Sequence, residues 1–179
     1  QKEIVESLGE CAEVVRNGGG DASVDNMLKI TNDGRKLALD QRLVNELLPD
    51  NPESKIAVCA EKSYEIWKDT VVQKSAQIIF CDLSTPKGDG SFNVYDDLKQ
   101  KLMEKGVPEK EIAFIHDANT EAKKTELFGK VKSGQVRFLI GSTAKMGAGT
   151  NVQDRLIALH HLDIGWKPSD LERAPVKAS

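Results

Sequence analysis

Short apolar segments rich in branched residues alternate with segments of helical length in the C-terminal part of this 179-residue chain. Such segments predict strands at residues 76–81, 112–116, 136–140 and 156–162. Strands of this length that alternate with helices form βαβ units, whose parallel sheet is covered by helices on both faces. From residue 54 onward we therefore predict an α/β fold with an open, mostly parallel, doubly wound sheet.

The helices are predicted from apolar residues at spacings of three and four. They cover residues 2–16, a segment within 27–48 that begins after Asp33-Gly34, and residues 56–71, 95–105 and 121–132. The glycines at 18–20 and the prolines at 49 and 52 interrupt this pattern. We expect residues 1–52 to form a helical linker or appendage and residues 53–179 to form the main domain.

Composition is that of a globular protein. Charged residues make up 30% of the chain and apolar residues 39%, with a formal net charge of -3 and a pI near 5.7. A dedicated polyanion binder usually carries a basic surplus, so nucleic-acid contacts would come from a local patch. No apolar run approaches the length of a membrane span, and no membrane partner is expected.

Three cysteines, Cys11, Cys59 and Cys81, lie far apart and form no C-x-x-C pair. This spacing indicates neither a disulfide framework nor a zinc site, and we expect reduced, mostly buried thiols. The polar N-terminus has no signal-peptide core, so a cytoplasmic location is predicted. Because the chain begins with Gln1 instead of methionine, we expect it to be part of a larger protein.

Residues 139–152, LIGSTAKMGAGTNV, suggest a phosphate-binding loop but match neither common pattern. Counted from Gly141, a Walker A loop would need a glycine at Met146 and a lysine at Gly147. The dinucleotide pattern would need a third glycine at Val152. A self-sufficient nucleotide loop is therefore excluded.

The loops after the four strands remain the predicted ligand-binding edge, since open α/β sheets bind ligands at the carboxyl ends of their strands. Gly147 and Gly149 would let the N–H groups of residues 148–151 point at an oxygen anion. The alternative is a tight turn without a ligand. Hydroxyl and ammonium groups that could follow a phosphate backbone are those of Ser84, Thr85, Lys87, Ser142, Thr143 and Lys145. Ordinary polar loops carry the same residue types.

Two histidines and one tryptophan near these loops could suggest a metal site or base stacking, but packing explains them better. Because His160 and His161 are neighbours in a strand, their side chains should point to opposite faces and cannot share a metal site. We predict no metal site in this chain. Trp166 could stack on a base, but packing at the rim of the cleft is favoured.

Two of these loops resemble the second RecA-like motor domain of superfamily-two helicases and translocases, particularly the Swi/Snf type. That family has S-T-x-x-x-G-x-G-x-N, a strand, then D-x-x-W-x-P and a helix that opens with D-L. This chain has STAKMGAGTN at 142–151, LIALHHL at 156–162 and DIGWKPSDL at 163–171. Fixed spacing in two loops across a strand makes the resemblance specific.

The likeness is closer still to the helicase part of large methyltransferase-helicase fusion proteins of phages and conjugative elements. It spans residues 27–171 and includes MLKITNDGRKLALDQRL, FCDLSTPK, FNVYDDL and FIHDA. The resemblance implies that residues 78–84 are motif IV and residues 141–152 are motif V. It also implies that Gly147, Gly149, Thr150 and Asn151 line a nucleotide cleft and that Ser84, Thr85, Ser142, Thr143 and Lys145 contact DNA.

Motif VI departs from the family. After Asp170-Leu171 the family has a G-R-x-x-R-Q-G type segment, whereas this chain has ERAPVKAS. The arginines that reach ATP are missing, and the Walker residues would belong to an upstream motor domain. The resemblance thus implies ATP and Mg in the full-length motor, DNA and the upstream domain as partners, and a chain that is inactive alone.

Two other functions remain open from the sequence. The chain could be a degenerate, non-catalytic module that binds DNA or a protein, in which case the parent protein would also lack motif VI. An unrelated Rossmann-like enzyme is the third possibility, and it lacks the acidic residue expected after a glycine fingerprint.

Overall fold

The structure, a computed structural model, describes residues 2–16, 27–146 and 152–163. The chain divides into two compact units, Gln1–Lys55 and Ile56–Ser179. No helix within the described residues is long and apolar enough to cross a membrane.

The second unit is built on a four-stranded, all-parallel sheet. Its strands are β1 (Ala76–Phe80), β2 (Ile112–Phe114), β3 (Phe138–Gly141) and β4 (Leu156–His161), in the spatial order β2-β3-β1-β4. Every residue of β1 and β3 is buried, as expected for central strands of a sheet covered on both sides. The predicted α/β fold with an open parallel sheet is confirmed, and it is consistent with a RecA-like arrangement.

Helices cover both faces of this sheet. They are α3 (Lys55–Asp69), α4 (Val94–Glu104), α5 (Glu121–Ser133) and the short α6 (Thr143–Met146). Val131 of α5 packs in one core cluster with Ile78 and Phe80 of β1. Gln77, which alternation sends to the opposite face, donates from its side-chain amide to the Ser63 carbonyl of α3, 2.8 Å away.

Local capping fixes the ends of α4 and α5. The Asn93 side chain accepts from the Asp96 N–H, and the Thr120 hydroxyl accepts from the Lys123 N–H. Helix α5 ends at Gly134, which has φ 77°, a conformation that favours glycine. The boundaries of these helices lie within one residue of the prediction.

The N-terminal unit contains α1 (Lys2–Arg16) and α2 (Met27–Leu39). The prediction that the second helix begins after Asp33-Gly34 and reaches toward residue 48 is wrong. The helix runs through Gly34, because the buried Ile30 and Leu37 gain more from packing than the glycine costs in helix propensity. It stops at Leu39 because Asp40 is extended, with φ -159°, and its carboxylate caps a 3-10 turn over Gln41–Leu43.

One predicted strand is shorter than expected. β2 ends at Phe114, and Ile115–Asp117 form a 3-10 turn, so His116 leaves the strand. The buried Ile115 side chain packs in the same core cluster as Ile78, Phe80 and Val131, which we call the main core cluster, and this packing holds the turn in place. A continuous apolar run cannot by itself show where pairing stops, because pairing depends on the neighbouring strand.

Candidate functional site at the carboxyl edge of the sheet

Strand register brings three loops to the same level. Phe80 of β1 pairs with Gly141 of β3 on one side and with His161 of β4 on the other. The pairing continues one step into the loops, where the Cys81 N–H donates to the Gly141 carbonyl and the Leu162 N–H donates to the Phe80 carbonyl, both at 3.0 Å. The residues that follow these three strands are therefore neighbours.

Asp163 organises the loop after β1. Its carboxylate accepts from the N–H of Asp82 at 3.0 Å and from the N–H of Leu83 at 2.6 Å. The Cys81 thiol donates to the same carboxylate at 3.5 Å. Burial and the charge of Asp163 raise the pKa of the Cys81 thiol, which keeps it protonated as a donor. Asp163 is itself buried, so these hydrogen bonds are shielded from water.

Asp82 ties the β1 loop to the β3 loop. Its carboxylate accepts from both the N–H and the hydroxyl of Thr143, each at 2.7 Å. Two charge-assisted bonds to one residue fix the orientation of the first turn of α6. The predicted contact residue Thr143 therefore lies at the predicted edge, but its hydroxyl proton is directed at Asp82.

Ser84 lies at the same edge and is also occupied. Its hydroxyl accepts from the Val94 N–H at 3.0 Å, at the start of α4, and the residue is buried. The neighbouring Tyr95 hydroxyl donates to the Cys81 carbonyl at 2.7 Å. These bonds hold the β1 loop against α4. Ser84 is placed as a structural residue here, and its prediction as a DNA contact has no exposed surface to support it.

Ser142 caps α6, with its hydroxyl accepting from the Lys145 N–H at 3.3 Å. The residue is buried. Lys145 itself is exposed, and its ammonium has no ion-pair partner within the described parts of the chain. Thr85 is half-buried in the β1 loop. Of the five predicted DNA-contact residues, Lys145 is exposed and Thr85 and Thr143 are half-buried, but the Thr143 hydroxyl is already bonded to Asp82.

His116 lies close to this group. Its ring meets the Tyr95 ring edge-on, with centroids 5.2 Å apart. Its buried Nδ1 has no hydrogen-bond partner among the described residues. Burial and the nearby Lys145 ammonium lower the pKa of His116 from its usual value, while Asp117 acts in the opposite direction. The imidazole is therefore predominantly neutral at pH 7 and adds no cation to the edge.

The two adjacent histidines of β4 do point to opposite faces, as predicted. His160 Nε2 lies 2.9 Å from the Gln77 side-chain oxygen, on the face covered by α3. The His161 ring stacks on Phe80 on the other face, with centroids 4.8 Å apart. Both are accounted for by packing and hydrogen bonds.

Buried thiols were predicted and are found where they can be described. Cys59 and Cys81 are free and buried. Burial raises the pKa of Cys59 to about 11. The side chain of Cys11 lies outside the described residues.

The predicted nucleotide-cleft residues, Gly147, Gly149, Thr150 and Asn151, lie outside the described residues, as does Trp166. Flanking residues on both sides of this gap are described. Met146, the last residue of α6, and Val152 are both buried in the main core cluster.

Sequence reasoning did not name Asp82 and Asp163 among the site residues, although each is the second residue after a strand. An acidic residue at the first or second position after a buried parallel strand was the available signal. The described residues place the exposed Lys145 in the same short helix as Thr143, which is already hydrogen-bonded to the Asp82 carboxylate. This arrangement suits phosphate contact better than acid–base chemistry. Comparison of the chain with known protein families, with curated proteins and with solved structures found no match.

Proposed function

We propose that this chain is the second RecA-like motor domain of an ATP-dependent DNA helicase or translocase. One observation carries the proposal: Asp82 and Asp163 join the loops after β1, β3 and β4 into one hydrogen-bonded wall. Those are the loops whose residues resemble motif IV, motif V and the D-x-x-W-x-P segment. A motor needs such a wall because closure of its cleft must move several ligand contacts as one body.

In this proposal Lys145 and Thr85 contact the phosphate backbone. Gly147, Gly149, Thr150 and Asn151 face ATP and Mg held mainly by the upstream motor domain. The internally bonded hydroxyls of Ser84, Ser142 and Thr143 position the loops. Their contribution to DNA binding is then indirect, through the orientation of α6.

The first test measures the salt dependence of DNA binding. A fluorescent single-stranded oligonucleotide is titrated with the chain and with Lys145→Ala, at several salt concentrations. Loss of one phosphate contact should weaken binding and reduce the slope of log K against log salt by about one unit. Lys123→Ala, on the exposed face of α5, is the matched control and should leave the slope unchanged. Equal slopes for all three proteins would show that Lys145 does not contact the phosphate backbone.

The second test measures ATP hydrolysis. The chain alone should show no DNA-stimulated turnover, because it lacks both the phosphate loop and the arginine finger. Joined to the upstream motor domain and downstream sequence of its parent protein, it should show DNA-stimulated turnover. Turnover by the chain alone would contradict the proposal.

One observation favours a second candidate, a non-catalytic binding module. Three of the five hydroxyl and ammonium groups expected to meet DNA are bonded within the domain. If the chain joined to its upstream and downstream sequence bound DNA without hydrolysing ATP, that result would support this module over the motor.

A further inference from the structure

A cavity lies at the amino edge of the sheet, opposite the carboxyl-edge site. Its volume is about 570 Å³, within the range of small-molecule sites. It is lined where α3 and α5 end and where β2 and β3 begin, by residues that include Trp67, Lys74, Glu111 and Arg137. None of these residues takes part in the carboxyl-edge site.

The lining of this amino-edge cavity is positively charged. Lys74, Lys110, Lys130 and Arg137 face one carboxylate, Glu111. Glu126 pairs with Lys130 at 2.7 Å, which leaves Lys74 and Lys110 as exposed rim cations. The whole chain carries a net charge of -3, so this concentration of cations is local. A concave cationic surface concentrates anions.

Arg137 is the buried cation of the cavity, with only 3% of its surface exposed. Its Nη2 donates to the Trp67 and Thr70 carbonyls at 2.8 and 3.1 Å, and its Nε donates to the Ser75 carbonyl at 3.1 Å. The other terminal nitrogen, Nη1, has no acceptor among the described residues. No carboxylate lies within ion-pair distance of the guanidinium in the described chain. A buried cation without a paired anion carries a free-energy cost that a bound anion would offset.

One wall of the cavity is aromatic and fixed in place. Trp67 donates from Nε1 to the Glu111 carboxylate at 2.7 Å, and the Arg137 guanidinium lies 5.3 Å from the ring centroid. The Glu111 charge is therefore partly engaged by the indole. This geometry also makes the emission of Trp67 sensitive to any charge that enters the cavity.

The carboxyl ends of α3 and α5 point to this region and carry partial negative charge, which opposes anion binding. Arg137 offsets that effect for α3 by donating to the carbonyl of Trp67 in its last turn and to the carbonyl of Thr70, the residue after it. The positive charge of Lys130, in the last turn of α5, likewise offsets the partial negative charge at the end of that helix. The rim charges of Lys74 and Lys110 remain in excess.

We propose that the amino-edge cavity binds a small anion with more than one phosphate group, held by Lys74 and Lys110 at the rim and by Arg137 Nη1 inside. A single phosphate is small for this volume, whereas a di- or triphosphate group can span rim and interior. The concave shape favours a small ligand over a nucleic-acid strand.

The test uses Trp67 as the reporter. Trp166→Phe leaves Trp67 as the one tryptophan of a chain that has two. Emission is followed during titration with sodium tripolyphosphate at constant ionic strength, and calorimetry on the unsubstituted chain gives the same affinity independently. Saturable binding is expected, with orthophosphate weaker than tripolyphosphate.

Charge reversal at the rim then locates the site. Lys74→Glu and Lys110→Glu should each weaken tripolyphosphate binding by about tenfold. Lys123→Glu makes the same charge change on an exposed face of α5 away from the cavity and should leave binding unchanged. Absence of saturable binding, or equal weakening by all three substitutions, would overturn the proposal. An oligonucleotide that binds in a Lys74-dependent way while tripolyphosphate does not would overturn it in favour of a nucleic-acid surface.

Discussion

Gly141, the last residue of β3, lies where no side chain fits. A Cβ atom placed on it would lie 2.5 Å from Ile115 Cγ2 and 2.8 Å from Met146 Cε. Both neighbours belong to the main core cluster and cannot move freely. We expect Gly141→Ala to lower the free energy of unfolding by about 1–3 kcal/mol through overpacking, as measured by urea denaturation.

Gly129, inside α5, is the matched control, because a Cβ there meets nothing within 4 Å. Gly129→Ala should raise the free energy of unfolding by about 0.5–1 kcal/mol, since alanine favours the helix. Effects of the same sign at both positions would contradict the packing argument for Gly141.

Arg137, the residue before β3, connects separate elements: it donates to Trp67 in the last turn of α3, to Thr70 just after that helix and to Ser75, the residue before β1. Lysine cannot replace it, because one ammonium cannot reach acceptors that the guanidinium spans as a planar fork. Arg137→Lys should lower the free energy of unfolding by about 2–4 kcal/mol, since buried carbonyls lose their donors. Urea denaturation measures this loss of stability. Amide hydrogen exchange at the end of α3 should also become faster.

Lys68→Gln, on the exposed surface of the same helix end, controls for the loss of a positive charge near α3. It should change the free energy of unfolding by less than about 0.5 kcal/mol. Equal effects of the two substitutions would assign the role of Arg137 to charge alone.

Across the whole molecule, burial lowers the pKa of all three histidines, His116, His160 and His161. Each therefore binds a proton more readily in the unfolded chain. The contribution of these neutral histidines to stability is fully present above the unfolded pKa of about 6.5. It is lost as the pH falls below that value toward the lower pKa of the folded state. We expect the free energy of unfolding to fall between about pH 7.5 and pH 5, with each histidine contributing at most about 1.4 kcal/mol per pH unit.

His160→Gln tests this dependence, because glutamine keeps a polar group near Gln77 and Ser63 but does not titrate in this range. The substitution should reduce the slope of the free energy of unfolding against pH by an amount that corresponds to at most one proton. Carboxyl groups such as Glu109, whose pKa the Lys99 ammonium lowers, act only below about pH 4.5 and lie outside the window. A profile of unchanged slope would show that His160 does not titrate differently on folding.

At the carboxyl edge, sequence alone predicted which loops meet but not which side chains remain available. Ser84, Ser142 and Thr143 were expected to face a ligand, and all three lie at the predicted edge with their hydroxyls in internal hydrogen bonds. Their partners include residues far away in the chain: Thr143 is 61 positions from Asp82. No local pattern contains that information.

The sequence by itself determined the α/β class, the parallel sheet, the ends of α4 and α5 and the opposite orientations of His160 and His161, because periodicity and helix termination are local properties of the chain. Only the tertiary structure decided that α2 continues through Gly34, that Asp163 and Asp82 join the loops, and that Arg137 is buried at the amino edge. Each of these depends on contacts between residues distant in sequence, where packing and hydrogen-bond satisfaction outweigh local preference.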